Sequence, residues 1–210
     1  GDVERKFWKD DFSVDSEELY TVNGNWTGWG SGELTNVQWS GLTSLRTTTP
    51  TVGTRIGVLI KPITYRDGNE YFGFGFKNVD VDSRIAVMLR SYNSTSVRIV
   101  TIGYSGATVS TYIDGGLGDL YGQYCYVEIE VLSANTYDVY VNGTKYGPTV
   151  TETGVNLLQP ISVGMANSGG FGLTRYLKGR WVLPSKSYED NFSTDTTERY
   201  QAVTGTVAYD

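Results

Sequence analysis

Glu128 and Glu130 stand two residues apart in the run VEIEV, a spacing that puts both carboxylates on one face of a β-strand. Retaining glycoside hydrolysis needs such a pair about 5 Å apart, one as acid and base and one as nucleophile. Any amphipathic strand whose outer face meets water produces the same spacing, and solvent-facing glutamates are the preferred reading here. The chain has no histidine. That removes the usual general base near neutral pH, the triads that depend on imidazole, and most zinc or copper sites. The single cysteine, Cys125, lies among Tyr124, Tyr126 and Val127 on the apolar side of a strand, so it reads as a core thiol with no internal disulfide partner. On these grounds the chain is read as a non-enzyme.

Calcium takes several oxygens converging from a loop. Asp80-Val81-Asp82, Asp67-Gly68-Asn69-Glu70 and the DGGLGD run from Asp114 to Asp119 offer them, yet each reads equally as a turn, and no EF-hand spacing occurs. Calcium is therefore a candidate cofactor without an assigned site. Sugar binding typically sets an aromatic platform beside polar groups. Trp26 reads as core from its G-x-W context, which leaves Trp29, Trp39, Tyr65 and Tyr92 as candidate glycan-binding residues, each also suited to ordinary packing.

Strands and turns must position these groups. Between Tyr124 and Gly147, Cys125, Val127, Ile129 and Val131 alternate with Tyr124, Tyr126 and Glu128, and Tyr137, Val139 and Val141 alternate with Asp138, Tyr140 and Asn142. Ser133-Ala134-Asn135 supplies the turn between them, and Asn142-Gly143 favours the positive φ values of a type I′ turn. Further strands are expected in the opening segment, at Gly41 to Leu45, Thr54 to Ile60, from Glu70 through the EYFGFGF run, at Arg84 to Ser91, Ser96 to Tyr104 and Ala107 to Ile113, with two more between Pro160 and Pro184. In EYFGFGF, Phe72, Phe74 and Phe76 share one face while Gly73 and Gly75 leave the other bare, so another layer can approach the backbone there. Phe72, Phe74, Phe76, Ile129, Val139 and Val141 form the predicted interior.

Glycine at 26 residues and tyrosine at 16 in a chain of 210 favour many short strands over helices. A net charge of −6 offers no basic surface at large, which argues against nucleic acid as a partner, and no apolar run is long enough for membrane insertion. Asn-X-Ser/Thr sequons at Asn25, Asn93, Asn142 and Asn191 would permit glycosylation of a secreted protein, as chance occurrence in an Asn-, Ser- and Thr-rich chain also would.

The end of the chain echoes its beginning at an offset of 180 residues. Lys6, Asp10, Phe12-Ser13, Asp15, Glu18 and Tyr20 are matched by Lys186, Asp190, Phe192-Ser193, Asp195, Glu198 and Tyr200, with Tyr188 answering Trp8. Such a repeat marks one unit and the start of another. Residues 1–184 are expected to form one β-sandwich domain, and 185–210 a C-terminal extension able to donate a strand to another copy through Tyr188, Phe192, Tyr200 and Val203.

The DDFS opening, the pattern of Gly24, Trp26, Gly32 and Leu34, the aromatic strand from Glu70 to Phe76, and VEIEV…YDVYVNG followed by ISVGM…FGL resemble the concanavalin A-like jelly roll, in its laminin G-like or pentraxin-like branch. The resemblance covers about residues 6–184. It implies an all-β sandwich of two antiparallel sheets, one concave, with glycans often bound and calcium sometimes held at a rim. Laminarinase-type glucanases of that superfamily carry a Glu-x-Asp-x-(x)-Glu strand, and the VEIEVL run lacks both the intervening Asp and a third carboxylate. The reading reached is a non-catalytic extracellular structural or adhesive subunit, at a cell or virion surface, that self-associates through its extension into a filament or tandem array. The alternative is a glycan-binding module of a larger surface or viral protein.

Overall fold

Strand-period alternation becomes thirteen strands among the described residues of the computed structural model, namely 12–13, 15–24, 26–32, 34–36, 40–62, 65, 70–79, 81–105 and 108–168. They are β1 (Tyr20–Asn23), β2 (Trp26–Thr27), β3 (Thr35–Asn36), β4 (Ser40–Thr48), β5 (Arg55–Ile60), β6 (Tyr71–Asn78), β7 (Arg84–Asn93), β8 (Ser96–Ser105), β9 (Thr108–Gly118), β10 (Cys125–Val131), β11 (Thr136–Val141), β12 (Thr144–Thr151) and β13 (Ile161–Ser168). One 3-10 turn, Glu17–Leu19, is the only helical element among the described residues. No helix there is long and apolar enough to cross a membrane.

Seven strands pair antiparallel in the order β1-β4-β13-β6-β7-β8-β9, four in the order β12-β11-β10-β5, and β2 pairs with β3. The meander β6 to β9 is sequential, whereas β13 enters between β4 and β6 from far along the chain. This is the expected all-β sandwich of two antiparallel sheets. Their inner faces meet in one core holding Phe72, Phe74, Phe76, Ile85, Val87, Leu89, Val97 and Ile99 from the larger sheet. Ile56, Val58, Ile60, Cys125, Val127, Ile129, Val131, Tyr137, Val139 and Val141 face them from the smaller one. All six residues predicted for the interior are buried. Their aromatic rings interlock, with Phe76 lying 6.3 Å from Tyr137 in an edge-on arrangement.

The turn chemistry is as the residues require. Asn142 and Gly143 take φ values of 49° and 81°, and the Asn142 side-chain oxygen accepts a hydrogen bond from the Tyr126 backbone N–H at 2.8 Å. Two expectations change. The DGGLGD run is not a turn over most of its length, because Asp114 to Gly118 continue β9 in register with β8. In the opening segment, read as a strand, a loop and a second strand, the described residues form a 3-10 turn and the short strands β1 to β3. Its buried Phe12, Tyr20, Trp26 and Leu34 join the main core, so packing holds this stretch where strand pairing is brief. The extension 185–210, with Tyr188, Phe192, Tyr200 and Val203, lies outside the described residues, as does the second strand expected before Pro184.

Candidate functional site

The faces of β6, β7, β8 and β13 that point away from the core carry a recurrent pattern. In β6 these positions are Tyr71, Gly73, Gly75 and Lys77; in β7 they are Arg84, Ala86, Met88 and Arg90; in β8 they are Arg98, Val100, Ile102 and Tyr104. Each of β6, β7 and β8 has charged or tyrosine residues at its ends and small or apolar residues at its centre, and β13 adds Ser162 and Gly164 beside them. Antiparallel register aligns the ends into two rims. One rim runs Tyr71, Arg90, Arg98, and the other runs Ser162, Lys77, Arg84, Tyr104, Val109. The rims are three row spacings of about 6.8 Å apart, roughly 20 Å from backbone to backbone.

Between them lies a band of small and apolar residues, which we call the trough. One row of its floor is Gly164, Gly75 and Ala86, paired across three neighbouring strands with no side chain larger than a methyl group. The adjoining floor is apolar, since Ala86, Met88, Val100 and Ile102 form a second buried cluster separate from the main core, with Tyr71 and Tyr104 packed against it. Gly73 is held to glycine by the fold: a β-carbon there would run into the carbonyl oxygen of Val87 on the neighbouring strand.

The rims are stiffened by stacking. The Arg84 guanidinium lies over Tyr104 at 4.6 Å from the ring centroid, Arg90 over Tyr71 at 5.4 Å, and Arg98 over Tyr92 at 4.8 Å. Asp114, on β9, accepts from Arg98 at 2.5 Å and pairs with Arg90 at 3.5 Å. This engagement, together with its place inside a strand, corrects the reading of Asp114 as part of a calcium loop. Among the described residues no group of three or more His, Cys, Asp or Glu converges to hold a metal ion, and Asp67, Asn69 and Asp80 are not among them.

The structure separates the four candidate glycan-binding residues. Tyr92 stands on the trough face, exposed and beside Arg98. Tyr65 is also exposed but lies near Tyr121, whose phenol is pushed up by burial and by electrostatic effects that include Tyr65. Trp29 is partly buried and packs edge-on against Phe12 at 5.7 Å and against Tyr20 at 5.6 Å, so its ring serves the core rather than a platform. Trp39 lies outside the described residues. Sequence reasoning missed Tyr71, Tyr104, Lys77 and Arg84; the signal available was the repeated end-and-centre pattern of three successive strands, of which only the bare Gly73 and Gly75 positions were read.

Glu128 and Glu130 lie on the outer face of the other sheet. Arg55, opposite Glu130 on β5, donates to Glu128 at 3.1 Å and to Glu130 at 2.8 and 3.1 Å, and its guanidinium stacks on Tyr140 at 4.0 Å. Burial pulls the Arg55 pKa down, and the two glutamates outweigh it, leaving it raised. Glu128 is only 5% exposed, and Gly57 opposite it has no room for a β-carbon, so Glu128 is built into the sheet, while Glu130 keeps a partly solvent-facing side chain. Cys125 is fully buried, and burial pushes its thiol up to about 12, in keeping with a core thiol.

No protein-family model matches the chain, and no curated protein does. Solved structures do match in fold. The LamA protein of Zobellia galactanivorans in complex with laminaritriose and laminaritetraose superposes with a TM-score of 0.57 at 9% identity, covering 85% of this chain and 99% of that one. The β-agarase B of the same organism gives 0.54 at 11% identity, covering 78% and 79%. The carbohydrate-binding module CBM66 from Bacillus subtilis gives 0.53 at 10% identity, covering 72% and 92%. The fold is therefore the concanavalin A-like jelly roll, shared with carbohydrate-active proteins; these matches do not extend to the laminin G-like or pentraxin-like branch. They also correct the expectation of a non-enzyme: an agarase is built on this fold, so the architecture gives that expectation no support.

Proposed function

We propose that this chain is a carbohydrate-binding jelly roll whose trough on the outer face of β13, β6, β7 and β8 receives a polysaccharide. The observation that carries the reading is the glycine and alanine floor, Gly164, Gly75 and Ala86, lying between rims that bear Tyr71 and Tyr104. A sugar chain presents apolar ring faces and a fringe of hydroxyls. The tyrosine rings and the partly exposed Gly164 and Gly75 positions match the first, while the tyrosine hydroxyls and the arginine N–H groups match the second. The carbohydrate-active neighbours support this reading over a filament subunit, for which the supporting residues lie outside the described ones. Such a module suits a setting outside the cell or on a cell or virion surface.

Binding to a polysaccharide panel tests it. Tyr71→Ala and Tyr104→Ala should each weaken retention about tenfold or more, while Glu130→Gln, on the other sheet, should leave retention unchanged. Full retention by both tyrosine variants would overturn the reading. Release of reducing ends in the same incubations distinguishes cleavage from binding alone.

A further inference from the structure

Lys77 and Arg84 sit directly opposite each other on β6 and β7, on the trough face, and Arg84 is in turn opposite Tyr104. Like charges in directly opposed cross-strand positions repel and destabilise a sheet. Elsewhere Arg55 pairs with Glu128 and Glu130, Arg90 and Arg98 share Asp114, and Lys145 pairs with Asp138. Lys77 and Arg84 have no carboxylate within ion-pair distance among the described residues. Among the described residues the outward positions of β6, β7 and β8 carry Lys77, Arg84, Arg90 and Arg98; Asp114 pairs with Arg90 and Arg98, and Asp82 stands two residues before Arg84 in the connection from β6, on a chain whose net charge is −6. A local positive field on an acidic protein steers and selects anions where the molecule as a whole would repel them.

We propose that the trough selects an anionic polysaccharide, one bearing sulfate ester or carboxylate groups, and that Lys77 and Arg84 receive its charge at the Tyr104 rim. The inference rests on the glycan-binding reading and names its substrate class. Arg84 is suited to the task because stacking on Tyr104 holds its planar fork in one orientation, and that fork matches the two oxygens of a carboxylate or sulfate. Lys77 adds a compact charge beside it. The floor at Gly75, in line with neither side chain but one row away, leaves the sugar backbone room to lie against the sheet while its charged substituents reach the rim.

The probes are matched pairs: polygalacturonate and its methyl ester, and a sulfated galactan and its desulfated form. At low ionic strength the charged member of at least one pair should bind about tenfold or more tightly than its neutral partner, the factor expected for hydrogen bonds to charged groups. Which pair shows the preference identifies carboxylate or sulfate as the recognised group. Lys77→Gln and Arg84→Gln should reduce that preference and flatten its salt dependence, weakening the charged member by more than they weaken the neutral one. Equal binding of charged and neutral members would overturn this inference and leave the glycan-binding reading standing. A preference unchanged in both variants would overturn the assignment to Lys77 and Arg84. Failure to bind any polysaccharide would overturn the underlying reading itself. Salt titration of the unsubstituted protein gives an independent measure: an affinity that does not fall between low and physiological salt overturns the inference even if a variant folds poorly.

Discussion

Arg55 reaches across from β5 to Glu128 on β10 and donates to its carboxylate at 3.1 Å, while the same guanidinium holds Glu130. The carboxylate pair that could have been acid and nucleophile is thereby a structural ion-pair network on the sheet opposite the trough. Removing Arg55 leaves Glu128 buried without its cation. Arg55→Met should cost about 2 to 4 kcal/mol, below the ~3–5 kcal/mol of a fully buried pair because Arg55 is itself about a third exposed. Urea unfolding measures it, and a loss under about 0.5 kcal/mol would show that the network contributes nothing.

Phe74 is fully buried at the centre of β6, its ring 6.3 Å from that of Phe76. Phe74→Ala removes most of a large side chain from a core formed by two opposed sheets, which cannot collapse around the space. A destabilisation of about 3 to 5 kcal/mol is expected, read as a lowered denaturation midpoint at unchanged slope.

Asp138 ties stability to pH. Burial raises its carboxyl pKa, but the ammonium of Lys145 at 2.8 Å and the hydroxyl of Thr149 at 2.6 Å outweigh burial, and the net shift is downward. A lowered folded-state pKa contributes stability that is present above the ordinary carboxylate range and is lost as pH falls through the folded value. The melting temperature of Asp138→Asn should therefore lie below that of the unsubstituted protein at pH 7 and converge with it between about pH 5 and pH 2. Parallel curves across that window would disprove the linkage.

Cys125 offers a probe of unfolding. With the thiol fully buried and its pKa pushed up to about 12, almost no thiolate exists at pH 8, and reagent has no path to it. A disulfide-exchange reagent should label it only at the rate of opening of the sheet and within seconds in denaturant. Rapid labelling of the native protein would contradict the packing around β10.

Gly73 tests the close approach of β6 to β7. A β-carbon there would meet backbone atoms, which cannot swing aside as a flexible side chain does, whereas at Gly75 the nearest atom, the Ile85 carbonyl oxygen, is 3.0 Å away. Gly73→Ala should destabilise by more than Gly75→Ala, with a gap of about 1 kcal/mol or more. Equal melting temperatures would show that the strands relax freely.

Alternation by itself determined the strands β5 to β8, β10 and β11, the faces of Phe74, Ile129 and Val139, and the Asn142-Gly143 turn, because side-chain period and turn chemistry are local properties that a sequence states outright. The sandwich followed from them, since two half-apolar sheets have only each other to cover. Local reading failed where partners are distant. Asp114 resembles a turn residue until β8 brings Arg98 beside it, Trp29 resembles a surface platform until Phe12 and Tyr20 close on it, and Glu128 resembles a solvated acid until β5 delivers Arg55. The trough belongs to the tertiary structure for the same reason. Each strand carries only its own ends and centre, and it is the antiparallel register, with β13 inserted beside β6 from far along the chain, that lines up Gly164, Gly75 and Ala86 as a floor and sets Lys77 against Arg84 at its rim.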